Sequence, residues 1–446
     1  MKKILSFLSI VLVTVVFLAA CGGNDENSEV DTNDTSSGEN EGTTEITVMF
    51  SKPEIIPEFE AMVNAFNASQ DDVYVVSLQP QEGQGVPESQ RIRFAAGDAI
   101  TLLHVGPEFV QEFEPYVLDL SGQPFEALAM EGTLDFVRRD DGRLLGMPAT
   151  VEGFALIYNQ DAIEAALGEP FDSTTIRTIS DLEEIFERLE AAAGIDPIAF
   201  LPSLHWSVGW HFVSTWLSTQ SPDYQESLDF IEALIAGEVD LASNTQFEGW
   251  MRVLELKIRY NTWRNSPLDA DYDDGVMALA DGEVGFWFMG DWAYPTLAAT
   301  NPDVTYGFLP VPLSDDPNDF GNYHLSVDVP QFWLVDDRYS TPEQQEAAQA
   351  FLTWMVTSDE GHHYFVNVMN LIPIFEGMDY MPEDPLSAGI AAFLERGDTI
   401  RWMNMRTHNT IIDQIGSGIE MYTIDMIDRD ELITIVEEAF KSIERY

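Results

Sequence analysis

The chain has 446 residues, more than one simple core accommodates, so two domains are expected. It carries 77 acidic and 21 basic residues for a net charge of −56, which excludes nucleic acid as a partner and disfavours a polyanionic ligand. A hydrophobic content of 45% excludes a disordered chain.

The five lysines are Lys2, Lys3, Lys52, Lys257 and Lys441. Acid excess with scarce lysine reads as a surface kept soluble in concentrated salt, where screening removes self-repulsion, so a halophilic or haloalkaliphilic source is expected. Lys2 and Lys3 precede an apolar stretch at residues 4–18, the pattern of an export signal over residues 1–20. Leu18-Ala19-Ala20-Cys21 then resembles a lipobox, in which Cys21 takes the lipid and becomes the mature N-terminus. The apolar run is shorter than the roughly 20 residues a membrane span needs. As the single cysteine, Cys21 leaves no internal disulfide possible. Residues 21–44 are polar and acidic and read as a disordered tether.

From residue 45 the pattern is β-α-β. Residues 45–50 alternate as a strand; Ile55, Phe59, Met62, Val63 and Phe66 recur at helical spacing; residues 73–78 form the next strand and residues 100–105 a third. Loops after these strands would face a ligand, which singles out Ser51, Glu82 and Glu108. Gly83 and Gly85 lack dinucleotide-fingerprint spacing and no Gly-Lys-Ser/Thr occurs, so no nucleotide cofactor is expected. The extended run Gly146-Met147-Pro148 to Tyr158-Asn159 carries Glu152. Further on, Ser180 reads as a helix N-cap with Glu183 completing a capping box. Trp206 and Trp210 share a helical face, and indole faces stack on the apolar C–H faces of sugar rings. His205 and His211, six apart, suit a metal poorly, and none is expected.

Residues 282–294, Gly-Glu-Val-Gly-Phe-Trp-Phe-Met-Gly-Asp-Trp-Ala-Tyr, read as a strand buried on both faces that ends at Gly290. Asp291 can cap a following helix or accept a ligand hydrogen bond, and Trp292 offers a flat apolar face. Val304 to Pro312 gives a strand with a Pro exit, and a helix at 342–357 leads through residues 358–370 into Leu371-Ile372-Pro373. No Gly-x-Ser-x-Gly or His-Glu-x-x-His occurs, and carboxylate abundance says nothing in so acidic a chain, so catalysis is not expected.

The 282–294 unit, the Gly-Met-Pro…Tyr-Asn run, the capped helix leading to Pro197-Ile198-Ala199, and the 342–373 stretch occur in an order that resembles family 1 extracellular solute-binding proteins, the sugar-type lipoproteins of ABC importers. The resemblance implies an α/β, two-lobe, type II periplasmic-binding-protein-like fold, each lobe a mainly parallel sheet flanked by helices, with a ligand cleft between. The lobe boundaries expected are 45–150 plus 288–325 for the first and 151–287 plus 326–446 for the second. Implied too are capture of a sugar or oligosaccharide by hinge closure, delivery to a membrane permease, extracytoplasmic anchoring through Cys21, and a monomer. The candidate ligand residues are Ser51, Glu82, Glu108, Glu152, Trp206, Trp210, Asp291 and Trp292. A polyamine or quaternary amine is an alternative solute, since acids beside aromatics suit it. A phosphorylated polyol is another, for which Lys52 alone is thin support, and a glycoside-processing enzyme is a third.

Overall fold

The computed structural model describes residues 42–81, 84–378 and 384–443. The leader, Cys21, nearly all of the tether, and Glu82 lie outside these residues.

Alternating apolar residues form β1 (Thr44–Met49), with Ile46 and Val48 fully buried. β2 (Val73–Leu78) runs parallel to it after the helix Ile56–Ser69, whose Phe59, Met62, Val63 and Phe66 face inward. β3 (Leu102–Val105) lies on the other side of β1, again parallel. Then come the short β4 (Met147–Pro148), β5 (Glu152–Asn159), β6 (Asp196–Ala199), β7 (Val284–Gly290) and β8 (Tyr306–Leu309). β9 (Leu325–Asp328), β10 (Phe332–Val335) and β11 (Thr399–Ile400) complete the set. They make two sheets, β2-β1-β3-β10-β4 and β11-β9-β5-β7-β6, with β8 paired to β5.

Each sheet has its own core, which gives two lobes. In the second, side chains alternate across the sheet: Phe154, Leu156, Phe286 and Phe288 enter one apolar cluster, while Ala155, Ile157, Trp287 and Met289 enter another. β7 is therefore buried on both faces, as its sequence requires.

Three sequence expectations need correction. Residues 288–325, which hold the end of β7 and all of β8, were expected in the first lobe, yet both strands pair with β5 in the second sheet, with Phe154 opposite Gly290 and Tyr158 opposite Phe286. The return occurs later. β10 pairs with β3, and Ala347, Phe351 and Phe365 pack in the first core. An all-apolar strand fits either sheet locally; distant pairing decides.

The second sheet is also mixed rather than mainly parallel. β5 enters from the junction while β7 and β9 run towards it, so β5 is antiparallel to both. Finally, the helix Ile179–Ala191 is capped by Thr178, whose hydroxyl accepts from the Asp181 N–H at 3.0 Å. The Ser180 hydroxyl turns instead to Asp315.

The chain crosses between sheets at residues 149–151 and 329–331, and a third time between β10 and β11. A bridge between Val151 and Ile372 ties a third segment to the first crossing, and the Thr150 hydroxyl donates to the Ile372 carbonyl at 2.9 Å.

Lys257, on the helix Thr245–Arg259, is buried in the second core. Its Nζ stands 3.4 Å from the Phe212 ring centroid and 4.5 Å from that of Phe288, with no hydrogen-bond partner among the described residues. Burial holds its pKa well below the ordinary 10.5. The unfolded chain therefore binds a proton that the folded chain does not, and stability is lost as pH falls from that ordinary value towards the folded one. Lys257→Met is expected to raise stability at neutral pH by about 1–3 kcal/mol and to flatten its rise with pH. Denaturant unfolding of both proteins at neutral pH and near pH 10 checks this; an equally steep pH dependence in the variant would refute it.

Candidate functional site

β1 and β3 end at the junction of the lobes, and so do β6 and β7 from the other side; β5 starts there. Strand ends of this kind are where α/β proteins gather loops around a ligand. After β1 the chain turns through Ser51 and Lys52 into the short helix Pro53–Ile55. The Lys52 ammonium donates to Glu152, the first residue of β5, and pairs with Glu54 Oε1 at 3.2 Å. Lys52 and Glu152 are 5% and 4% exposed.

Burial would by itself lower the Lys52 pKa; the charges of Glu152 and Glu54 outweigh it and hold Lys52 above its ordinary range. Burial pushes the Glu152 carboxyl up, and Lys52 pulls against that push. Asp291 is raised well above its ordinary value, by burial first and by the Glu152 charge second. The one ammonium nearby pairs with Glu152, while burial and the Glu152 charge push the Asp291 carboxyl towards its neutral form. Asp291 does not cap the helix that follows β7; the cap residue is Gly290, without a side-chain bond. Its Oδ1 accepts instead from the Gly153 N–H at 2.8 Å, a contact set by the β5–β7 register.

These residues border a cavity of about 570 Å³, within the roughly 300–1,000 Å³ typical of small-molecule sites. Of the sequence candidates, Ser51, Glu108, Glu152, Trp206, Trp210 and Trp292 all line it. Asp291 lies behind, in an adjoining recess that shares Lys52, Glu54 and Glu152 with the main cavity. Glu82 is outside the described residues.

One wall is aromatic. Trp206, Trp292 and Trp402 surround His211, with ring centroids 5.6, 5.1 and 5.2 Å from the imidazole. Burial drives the His211 pKa down to about 3, so the ring is neutral. Trp206 immediately precedes a π-helical turn, Ser207–His211, and Trp210 lies within it; both reach the cavity. Trp292 folds over the end of β7, where a Cβ at Gly290 would overlap its indole.

The opposite wall is polar. Ser51 Oγ lies 2.8 Å from His104 Nδ1, and burial, then Lys52, keeps that imidazole neutral. Glu108 folds back over Gly106, where a Cβ would stand 2.6 Å from its Oε2. Burial raises the Glu108 carboxyl against a hydrogen bond from its own backbone, and no cation pairs with it among the described residues. Two buried atoms of cavity-lining residues, Trp402 Nε1 and Gln331 Oε1, have no partner among the described residues.

Sequence reasoning missed His104, Gln331 and Trp402, and named His211 only as a poor metal ligand. His104 and Gln331 adjoin or sit in apolar strands, and Trp402 follows a two-residue strand with no periodic pattern around it.

A family model described as bacterial extracellular solute-binding protein matches residues 51–389. The chain belongs to that family. Among solved structures it is similar to RafE in complex with raffinose, at 17% identity and a TM-score of 0.74, covering 90% of this chain and 99% of that one. The apo form of RafE from Streptococcus pneumoniae aligns with a TM-score of 0.70 at 17% identity, over 90% of this chain and 98% of that one. A sugar transporter protein from Bacillus licheniformis in complex with stachyose aligns at 13% identity and a TM-score of 0.67, over 90% of this chain and all (100%) of that one. These likenesses establish the two-lobe fold. A search of curated protein sequences finds no match.

The Lys52–Glu152 pair gives a direct prediction. Lys52→Met leaves Glu152 buried without its cation and is expected to cost about 3–5 kcal/mol. The double variant Lys52→Met/Glu152→Gln is expected to cost clearly less than the two single changes added together. A double-mutant cycle by denaturant unfolding measures this, and additive costs would show that the two side chains do not act as a pair.

Proposed function

We propose that this solute-binding protein captures a sugar or oligosaccharide in the cavity between its lobes and hands it to an ABC-type permease, with no chemistry done on the solute. The observation that carries the reading is the pairing of an indole wall with a polar wall around one cavity. The indoles suit the C–H faces of sugar rings, and Glu108, Gln331 Oε1 and Trp402 Nε1 suit its hydroxyls. The sugars named with the similar structures, raffinose and stachyose among them, support the same class. Ser51 and Glu152 border the solute in this reading, and Asp291 supports Gly153 behind it. Solute bound to one lobe gains contacts from the other, so binding favours closure about the crossings at residues 149–151 and 329–331. A quaternary amine or polyamine is the second reading, favoured by the unpaired Glu108 beside four indoles.

The test is intrinsic tryptophan fluorescence of residues 45–446 titrated with a panel of oligosaccharides, spermidine, betaine and glycerol phosphate, in low and in molar salt. A saturable shift with a saccharide is expected. Trp292→Ala is expected to weaken it on the order of tenfold or more, at unchanged circular dichroism. A response to the amines alone would replace the sugar reading by the second. The halophilic reading of the acidic surface requires the fold to be more stable in molar salt.

The lipobox at residues 18–21 supports anchoring of the mature chain through Cys21. Cys21→Ser is expected to remove radiolabelled-lipid incorporation and release the protein from membranes; retention of the label would refute the anchor.

A further inference from the structure

Among the described residues, the cavity lining holds one basic side chain besides two histidines, and that side chain is already committed. Lys52 is held by Glu152 and Glu54. His104 and His211 are both neutral, because burial keeps them so. Against the single ammonium stand three lining carboxyls, Glu54, Glu108 and Glu152, of which Glu108 has no cation partner among the described residues.

Backbone geometry points the same way. The helix Val86–Ala96 starts at the cavity wall, and a helix start is an ordinary place for an anion. Here the chain supplies its own anion: Gly85 N–H donates to Glu88 Oε2 at 3.2 Å, and Pro87 has no N–H to offer. At the neighbouring loop the carboxylate of Glu108 lies over Gly106. The lining atoms left without partners, Trp402 Nε1 and Gln331 Oε1, are a neutral donor and a neutral acceptor.

Resting on the sugar reading above, we infer that the cleft is a charge filter: it takes an uncharged saccharide and rejects the same saccharide when it carries a carboxylate or phosphate, with Glu108 as the group that enforces the rejection. The surface charge cannot do this in concentrated salt, where screening falls to about 3 Å. A carboxyl inside the cavity is screened far less, and an acid brought beside it is disfavoured, through like-charge repulsion and through the proton one of the two must then take up.

The experiment uses raffinose, stachyose, maltotriose and cellotriose, each beside its C6-oxidised uronate form, titrated calorimetrically in molar salt. Every oxidised form of a sugar that binds is expected to bind weaker by on the order of tenfold or more. In Glu108→Gln, which keeps an acceptor of the same shape, the ratio of the two affinities is expected to shrink several-fold, whatever happens to the neutral sugar's own affinity. Equal affinity for the two forms in the unaltered protein overturns the filter and leaves the sugar reading standing. A large ratio unchanged by Glu108→Gln overturns the role of Glu108, and with it the inference as stated. If no saccharide binds in either form, the sugar reading falls and this inference falls with it.

Discussion

The junction between the lobes depends on one buried ion pair. Lys52 comes from the loop after β1 in the first sheet, and Glu152 opens β5 in the second, 100 residues later. Neither is tolerable alone at that depth, because an isolated charge out of water costs several kcal/mol or more. Together they let an ammonium and a carboxylate sit at the wall of a cavity that must also admit a solute. Asp291 follows from the same arrangement. Burial and the nearby Glu152 push its carboxyl towards the neutral form, and its Oδ1 accepts from the Gly153 N–H, so the start of β5 is held by β7 and by Lys52 at once.

A second electrostatic tie lies beside the crossing at residues 329–331. Arg401 forks onto Asp328 with two hydrogen bonds of 3.0 Å and reaches Asp135 at 3.3 Å. Asp328 ends β9 just before the chain passes to the first sheet, while the neighbouring Phe136 stacks on Phe332 of β10. A bidentate guanidinium fixes direction as well as distance. The first two crossings are thus bracketed by charged pairs, whereas the lobes themselves are held by separate apolar cores. That division suits a molecule proposed to rotate about its crossings, since each lobe keeps its packing while a few dihedrals move.

Much of this was legible in the sequence. β1, β2 and β7 stand close to where periodicity put them, because alternation and complete burial are local properties of a strand. Six of the eight candidate ligand residues line one cavity, because strand ends and their nearby indoles can be read without a partner in view. What could not be read is pairing over distance. The run Val-Gly-Phe-Trp-Phe-Met-Gly fits the middle of either sheet, and only its register with β5 shows which. The commitment of Lys52 to Glu152 has no local signal at all, so from the sequence Lys52 offered only thin support for a phosphorylated solute. Trp402 stayed hidden because it follows a strand of two residues, too short for a period.

The net charge of −56 and the buried pair belong to different electrostatic regimes. Surface carboxylates interact through solvent, and salt screens those further apart than a Debye length, about 10 Å at 0.1 M and about 3 Å at 1 M. Lys52 and Glu152 are almost fully withdrawn from solvent, so salt reaches them little. A chain that changes its outer electrostatics with the medium can therefore keep the geometry of its cavity constant, provided the charges that set that geometry are inside. The scarcity of lysine sharpens the point. Of the three lysines in the described residues, two are buried, one spent on the lobe junction and one enclosed by phenyl rings in the second core. Lysine has largely been removed from the surface of this chain and remains chiefly where its surroundings, rather than water, determine its charge.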